Sequence, residues 1–247
     1  MRLKGWQLLI TVVSLLSGVL MAWQYGTLTV IQAETSQSRK SALTAVIQDL
    51  EAETARMEEN ILALRGQLDQ LQRAQVDGSD ELSVLQAELI ELKNLAGLTE
   101  ITGPGVTVVL DDNRSGAEAA RLLPDYNPEN FIIHDKDIRW LVNDAKRGGA
   151  GAIAINGHRL VNISEIRCVG PVIFINSTRM APPYVVKIIG DPDTLEQLIS
   201  TGDAFPILKW EDFPVKLTKE ASITIPAYKG SLPLNYIKPI DGDSSRL

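Results

Sequence analysis

The sequence predicts an α+β domain that follows two helical segments, and three observations support this prediction. No proline occurs before Pro104 and no aromatic residue lies between Tyr25 and Tyr126. An apolar run and then a seven-residue repeat occupy this part of the chain, and short β-branched runs begin after Leu98. We therefore expect a cytoplasmic tip and transmembrane anchor at 1–29, a coiled-coil stalk with a break near 75–80 at 30–98, an extracytoplasmic α+β domain at 99–240 and a flexible tail at 241–247.

The first region is typical of a single-pass membrane anchor. Residues 6–23 carry no charge, and a helix of that length reaches roughly 26 Å, close to the thickness of the hydrocarbon core of a bilayer. Arg2 and Lys4 precede the run, and the next charge after it is Glu34. The positive-inside bias thus predicts a cytoplasmic N-terminus and a C-terminal domain outside the cytoplasm. A cleaved secretory signal is the alternative, and it exports the same domain.

The second region carries apolar residues in alternating steps of four and three, which is the repeat of a coiled coil. We call them the seam residues: Leu43, Ile47, Leu50, Met57, Ile61, Leu64, Leu68 and Leu71. The positions around them are rich in charge, which favours a solvated stalk over a helix packed on the globular domain. Because an apolar stripe needs a partner stripe, we expect pairing with a second copy of this chain or with another membrane-tethered coiled coil.

The third region predicts an α+β sandwich. β-Branched runs predict strands at 106–110, 152–155, 172–175, 184–189 and 222–225. One helix is expected from Asp135 or Asp137 to Gly148, and a second between Pro192 and Gly202. Asn156-Gly157 is a strong hairpin signal. The order strand, helix, strand, hairpin, strand, helix, strand is typical of a ferredoxin-like sandwich.

Several short motifs of this region resemble one family. They are Gly103-Pro104-Gly105-Val106, His134-Asp135, Ala152–Gly157 with Arg159, Ile166–Pro171, Ala181–Tyr184, Ile188–Pro192 and Thr224–Tyr228. The chain resembles the bacterial domain of unknown function 881, whose members are often labelled division initiation proteins. The resemblance implies an anchor, a coiled coil and a ferredoxin-like domain, with a label of cell division and no established enzyme activity.

Polar residues of the third region gather at one predicted end of the sheet. The predicted polar ligand site consists of Asp111, Asp112, His134, Asp135, Asp137, Asn156, His158 and Arg159. Such a set suits a polar ligand or a divalent cation, but its spacing matches no known metal signature. The alternative is structural: Asp135 and Asp137 cap a helix, Asn156 makes a turn and His134 closes the loop. Arg167 is a further expected contact for an anionic ligand.

Other function classes are disfavoured. The net charge is −7 and no segment carries a clustered basic stripe, so we expect no nucleic-acid partner. No nucleotide loop and no nucleophile elbow is present, so we expect no catalytic residues and no cofactor. Cys168 is the single cysteine, which excludes a thiolate metal cluster, and its apolar surroundings predict a buried thiol. The sequence thus predicts a membrane-anchored envelope scaffold that is not an enzyme, or alternatively a small-ligand or divalent-cation sensor.

Overall fold

The computed structural model describes residues 5–74 and 80–232 of the chain. Internal contacts divide the chain into two compact units, residues 1–57 and 58–247. The described residues of the first unit belong to helix α1, which is assigned over Gly5–Ala74. The other described elements all lie within the second unit.

Helices and strands of the second unit follow one another in a mixed order. The helices after α1 are α2 (Asp80–Leu95), α3 (Arg114–Ala120), α4 (Asp135–Arg147), α5 (Pro192–Ser200) and α6 (Phe205–Trp210), with a 3-10 helix at Pro128–Phe131. The strands are β1 (Ile101–Leu110), β2 (Ala152–Ile155), β3 (His158–Arg159), β4 (Ile166–Val169), β5 (Val172–Ile175), β6 (Thr178–Met180), β7 (Tyr184–Ile189) and β8 (Val215–Ile225).

The larger sheet has five antiparallel strands in the order β3-β2-β7-β1-β8. Side chains alternate between its two faces, because successive residues of a strand point to opposite sides. Val106 and Val108 of β1 are fully buried in a core cluster that also contains Ile138 of α4 and Leu195 of α5. The opposite face has a smaller cluster that includes Ile223 of β8. Helices α4 and α5 therefore pack on the same face of the sheet.

Helix α4 has clear signals at both ends. Asp137 in its first turn accepts a hydrogen bond from the backbone of His134, the residue before the helix. Lys146 and Arg147 lie in its last turn, where cations interact favourably with the helix dipole. Gly148 follows at the C-terminal cap. The sequence therefore predicted this helix within one or two residues.

A second sheet has three antiparallel strands in the order β4-β5-β6. Ile173, Ile175 and Met180 extend the main core cluster from this sheet. The sequence predicted only β5, because β4 and β6 contain charged or small residues that give a weak strand signal. The ferredoxin-like sandwich is therefore corrected: the domain has a five-stranded sheet, with β3 at one edge, and a separate three-stranded sheet.

The predicted transmembrane anchor at residues 6–23 is not supported, and the predicted fold class is wrong on this point. A bilayer requires about 20 consecutive, mainly apolar residues in one helix. Among the helices that the structure describes, no segment is long and apolar enough to cross a membrane. The predicted helix break near 75–80 falls largely on residues 75–79, and the predicted tail at 241–247 also lies outside the described residues.

Candidate functional site

The predicted polar site begins where β1 ends. The backbone N–H of Asp112 donates to Oδ1 of Asp111 at 2.8 Å, and Oδ1 of Asp112 accepts from the backbone of Ile133 at 2.9 Å. Burial raises the pKa of the Asp112 carboxyl. The nearby Asn113 caps α3 by accepting from the backbone of Gly116 at 2.8 Å. These side chains organise the loop that leaves β1.

The first turn of α4 uses a second part of the predicted site. His134 donates its backbone N–H to Oδ2 of Asp137 at 2.9 Å, and its ring Nε2 lies 2.9 Å from the carbonyl oxygen of Glu129. Asp137 is almost fully buried, and this burial raises the pKa of its carboxyl. Asp137 therefore caps the start of the helix, as the structural alternative predicted for it, and the His134 ring contacts the segment that precedes the helix.

Asp135 connects α4 to the edge strand β4. Its Oδ2 accepts from the backbone N–H of Cys168 at 3.0 Å and from Nη1 of Arg139 at 2.7 Å. Arg139 also donates to the carbonyl oxygen of Ile166 at 3.0 Å. Burial opposes ionisation of Asp135, but the N–H of Cys168 and the charge of Arg139 outweigh it, so the pKa of Asp135 is lowered. Two side chains thus satisfy backbone groups that an edge strand otherwise leaves unpaired.

Cys168 itself differs from the prediction of a buried thiol, because its side chain is exposed. Strand β4 lies at the edge of the small sheet, and none of its four residues is buried. The thiol accepts a hydrogen bond from the backbone of Asp135 at 3.2 Å. Burial of part of the thiol and the nearby Asp135 raise its pKa.

The acids and histidine at this end do not form a metal centre. In the part of the chain that the structure describes, no group of three or more His, Cys, Asp or Glu side chains is arranged to hold a metal ion. Each of Asp112, Asp135 and Asp137 accepts a hydrogen bond from a backbone N–H. A cation or ligand role for this set stays a prediction without a supporting contact.

Asn156 and His158 belong to the hairpin that follows β2. Asn156 and Gly157 both have positive φ angles, +46° and +81°, as a tight two-residue hairpin turn requires. The Asn156 side chain accepts from the backbone of Val185 at 2.7 Å. Burial lowers the pKa of His158, which lies on β3 opposite Ile155. Asn156 therefore makes the turn, as the structural alternative predicted.

Arg159 lies on β3 and borders a cavity of about 550 Å³. The cavity is lined by Leu95, Ala96, Gly97, Gly151, Ala152, Arg159, Leu160, Val161, Asn162, Ile163 and Leu232, and we call it the Arg159 pocket. The side chain of Arg159 is 4% exposed, and no residue that the structure describes forms a hydrogen bond with its buried Nη1. Burial lowers the pKa of this guanidinium. Of the residues predicted for a ligand site, Arg159 therefore combines two features: it lines a cavity and it has a buried polar atom to which no described residue is hydrogen-bonded.

Gly97, the second residue after α2, leaves room for Val161 next to Arg159. Its φ is +73°, and a Cβ at this position would lie 2.8 Å from Cγ1 of Val161 and 3.6 Å from Nε of Arg159. Its carbonyl oxygen accepts from the backbone of Tyr228 at 2.8 Å. The pocket is thus built from the end of α2, the β3 edge and the C-terminal part of the described chain, which sequence spacing alone does not bring together.

The second predicted anion contact, Arg167, already has partners. Its Nε lies 3.1 Å from the carboxylate of Glu165, and its guanidinium lies 5.0 Å from the ring centre of Phe174. About half of its side chain is exposed. This arrangement is an ordinary surface ion pair. An anion that binds Arg167 must compete with Glu165, whereas no described residue forms an ion pair with Arg159.

The fold and the Arg159 pocket describe an α+β protein with a long N-terminal helix and a small-molecule-sized cavity. The chain belongs to the family described as bacterial protein of unknown function (DUF881), whose model matches residues 88–238. The resemblance inferred from the sequence motifs is thereby confirmed. The family description assigns no activity.

Individual relatives point to the same uncharacterised group. The chain is 33% identical to the UPF0749 protein YlxW of Bacillus subtilis over 129 residues, which cover 51% of this chain and 53% of that protein. It is 29% identical to the UPF0749 protein Rv1825 of Mycobacterium tuberculosis over 162 residues, 64% of this chain and 50% of that protein. The chain thus spans about half the length of these curated relatives.

One solved structure is also similar. It is described as an uncharacterized conserved protein from Mycobacterium tuberculosis, and the match covers 62% of this chain and 99% of that chain at 22% identity, with a TM-score of 0.49.

Proposed function

We propose that this protein is a non-enzymatic scaffold that pairs with a second copy of itself through the seam residues of α1. The observation that supports the proposal is their exposure. More than half of the surface is exposed at Leu43, Leu50, Met57, Leu64, Leu68 and Leu71. Apolar side chains that recur at heptad spacing and remain in water are expected to be covered by a partner helix.

Within the second unit, the exposed leucines of α1 are not on the face that contacts the domain. The partly buried residues there are Glu58, Ile61, Leu62, Arg65, Asp69 and Gln72. Their steps of three and four place them on one face of the helix, and Arg65 donates to the carbonyl oxygens of Tyr228 and Gly230. Leu64 and Leu71 are each one residue from that face, a rotation of about 100°. Most of the stripe therefore remains free for a partner.

The types of residue in the repeat favour two parallel helices. One position of the repeat holds Ile47, Thr54, Ile61 and Leu68, three of which are β-branched, and the other holds mostly leucine. β-Branched residues at the first position and leucine at the second favour a parallel dimer. The hydroxyl of Thr54 already donates to the carbonyl oxygen of Leu50 at 2.8 Å, so its burial leaves no unsatisfied donor. A second copy of α1 meets these requirements in register.

The size of the effect follows from Leu64, which is 64% exposed. Full burial of a leucine side chain contributes about 1.5 to 3 kcal/mol, so covering the exposed part contributes roughly 1 to 2 kcal/mol per chain. Two chains lose this contribution in Leu64→Asp, which also places two carboxylates at the interface. We expect the dissociation constant of the dimer to rise by at least about 100-fold.

Sedimentation of the full chain over a concentration series tests the proposal. The matched control is Leu122→Asp, because Leu122 is 96% exposed and lies far from the heptad in sequence. We expect wild type and the control to dimerise and Leu64→Asp to stay monomeric at the same concentrations. A monomeric wild type, or a Leu64→Asp variant that dimerises as tightly, contradicts the proposal. A coiled coil of another protein is then the remaining partner to seek.

The proposal has two finer parts. A link to cell division is supported only by the label of the family that the chain resembles, and co-localisation with the division septum would test it. A location outside the cytoplasm is a separate prediction, and protease accessibility in intact cells would test it. Both stay predictions.

A further inference from the structure

We infer that the Arg159 pocket binds a small organic oxyanion, a carboxylate or a phosphate carried on an apolar body. This function is separate from self-association through α1. In the proposed complex the acid group pairs with the guanidinium of Arg159, and the apolar body occupies the remainder of the cavity.

The first step is the unpaired charge. Arg159 is 4% exposed, its Nη1 has no hydrogen-bond partner, and no salt bridge of the described residues includes it. An arginine keeps its proton in proteins even when buried. A buried cation without a partner is strongly unfavourable, and none of the residues that the structure describes supplies an anion to this side chain.

The end of α2 does not replace that anion. Carbonyl oxygens attract a cation at a helix C-terminus, and the guanidinium lies beside Gly97. However, the carbonyl oxygens of Leu92, Lys93 and Asn94 already accept backbone hydrogen bonds from the residues that close the helix, and that of Gly97 accepts from Tyr228. The helix end therefore provides a favourable field but leaves Nη1 without an acceptor.

The second step is the shape and lining of the cavity. Its volume of about 550 Å³ lies in the usual range of pockets for drug-sized ligands, roughly 300 to 1,000 Å³. Apolar side chains dominate the walls, among them Leu95, Leu160 and Ile163, and Asn162 adds a polar side chain. One fixed charge in apolar surroundings selects a ligand with one acid group and a hydrocarbon part, because a highly charged ligand would leave further charges unpaired.

The third step concerns geometry. A guanidinium presents its N–H donors in a planar fork that matches two oxygens of a carboxylate or a phosphate. The backbone of Arg159 is held by its pairing with Ala154 in the sheet and by the side-chain amide of Asn176, which donates to its carbonyl oxygen at 2.8 Å. The backbone that carries the guanidinium is therefore held in place before a ligand arrives, which lowers part of the entropic cost of binding.

Calorimetric titration of the full chain tests the inference with four probes: octanoate, hexyl phosphate, inorganic phosphate and 1-octanol. We expect the two amphiphilic anions to bind, and inorganic phosphate and octanol to bind at least about 10-fold more weakly because each lacks one half of the ligand. Tighter binding of octanoate assigns a carboxylate, and tighter binding of hexyl phosphate assigns a phosphate. No binding of either anion at millimolar concentration overturns the inference, as does inorganic phosphate binding as tightly as hexyl phosphate.

Two variants separate a ligand role from a structural one. Arg159→Met keeps much of the side-chain length without the charge, and we expect it to weaken anion binding at least 100-fold. The matched control Arg167→Met removes an exposed arginine and should leave binding unchanged. Without ligand, Arg159→Met should melt at or above the wild-type temperature, because an unpaired buried charge is lost. A variant that fails to fold, or that binds the anions as wild type does, overturns the inference.

Discussion

Asp135 offers the sharpest test of how the two sheets are held together. Its carboxylate accepts from the backbone of Cys168 at 3.0 Å and from Arg139 at 2.7 Å. A hydrogen bond to a charged group contributes about 1.5 to 3 kcal/mol, and an exposed i,i+4 ion pair about 0.3 to 0.5 kcal/mol. We therefore expect Asp135→Ala to lower the free energy of unfolding by roughly 2 to 3 kcal/mol.

The change should also be local. Without the carboxylate, the backbone N–H of Cys168 loses its acceptor, and the edge of β4 loses a contact with α4. We expect hydrogen exchange at the Cys168 amide to accelerate more than exchange in β1, which has strands on both sides. Urea unfolding measures the free energy, and exchange detected by NMR or mass spectrometry measures the local effect.

The contribution of Asp135 has a defined pH dependence. The pKa of its carboxyl is lowered in the folded state from an ordinary value of 3.8. Its ionised form is thus favoured by folding, so its contribution is complete above about pH 4 to 5 and is lost as the pH falls through the folded pKa. The difference in stability between wild type and Asp135→Ala should shrink in acid.

Arg139→Gln is the matched control, because it removes the ion pair with Asp135 and leaves the Cys168 N–H bond in place. We expect it to cost only about 0.5 to 1 kcal/mol, since Arg139 also donates to the carbonyl oxygen of Ile166. Equal losses for Asp135→Ala and Arg139→Gln would refute the reasoning. So would a loss for Asp135→Ala that does not change between pH 7 and pH 3.

Two further substitutions test the core and α4. Gly105→Ala places a Cβ 1.9 Å from the carbonyl oxygen of Ile188 on the neighbouring strand, so we expect a loss above about 4 kcal/mol in thermal unfolding; a melting temperature near that of wild type would contradict the pairing. Asp137→Asn keeps an acceptor for the backbone of His134 and removes a carboxylate whose pKa burial raises. Because the folded state favours the protonated carboxyl, the stabilising contribution of Asp137 is present below its unfolded pKa and is lost as the pH rises through its folded pKa. We therefore expect Asp137→Asn to be at least as stable as wild type at pH 7 and to lose this advantage in acid. Urea titrations at both pH values would show the reverse if Asp137 were an ion-pair partner.

Local patterns predicted much of the α+β domain. The runs that became β2, β5 and β7 were predicted with their observed bounds, because β-branched residues and flanking turn residues act over a few positions. β1 and β8 were predicted too short, since their charged or glycine-containing ends are held in the sheet by neighbouring strands. Helix α6, at Phe205–Trp210, was not among the predicted helices.

The candidate sites show the limit of spacing as evidence. Asp112, Asp135 and Asp137 were grouped for a ligand, but each carboxylate accepts a backbone N–H nearby. Spacing reports that acids are close together, not which donors surround them. Arg159 belonged to the same predicted set, and its side chain lies instead in a pocket that also involves Gly97 and Leu232, which are far from it in sequence.

The sequence by itself determined the segments of β2, β5, β7, α4 and α5, the Asn156-Gly157 turn and the heptad spacing of the seam residues, because these depend on periodicity and on backbone preferences of single residues. Tertiary structure decided which faces are covered, which carboxylates find donors and where an arginine remains unpaired. The physical reason is that the residues that bury a side chain, or form hydrogen bonds with it, are often distant from it in the chain. A local sequence pattern does not identify those residues.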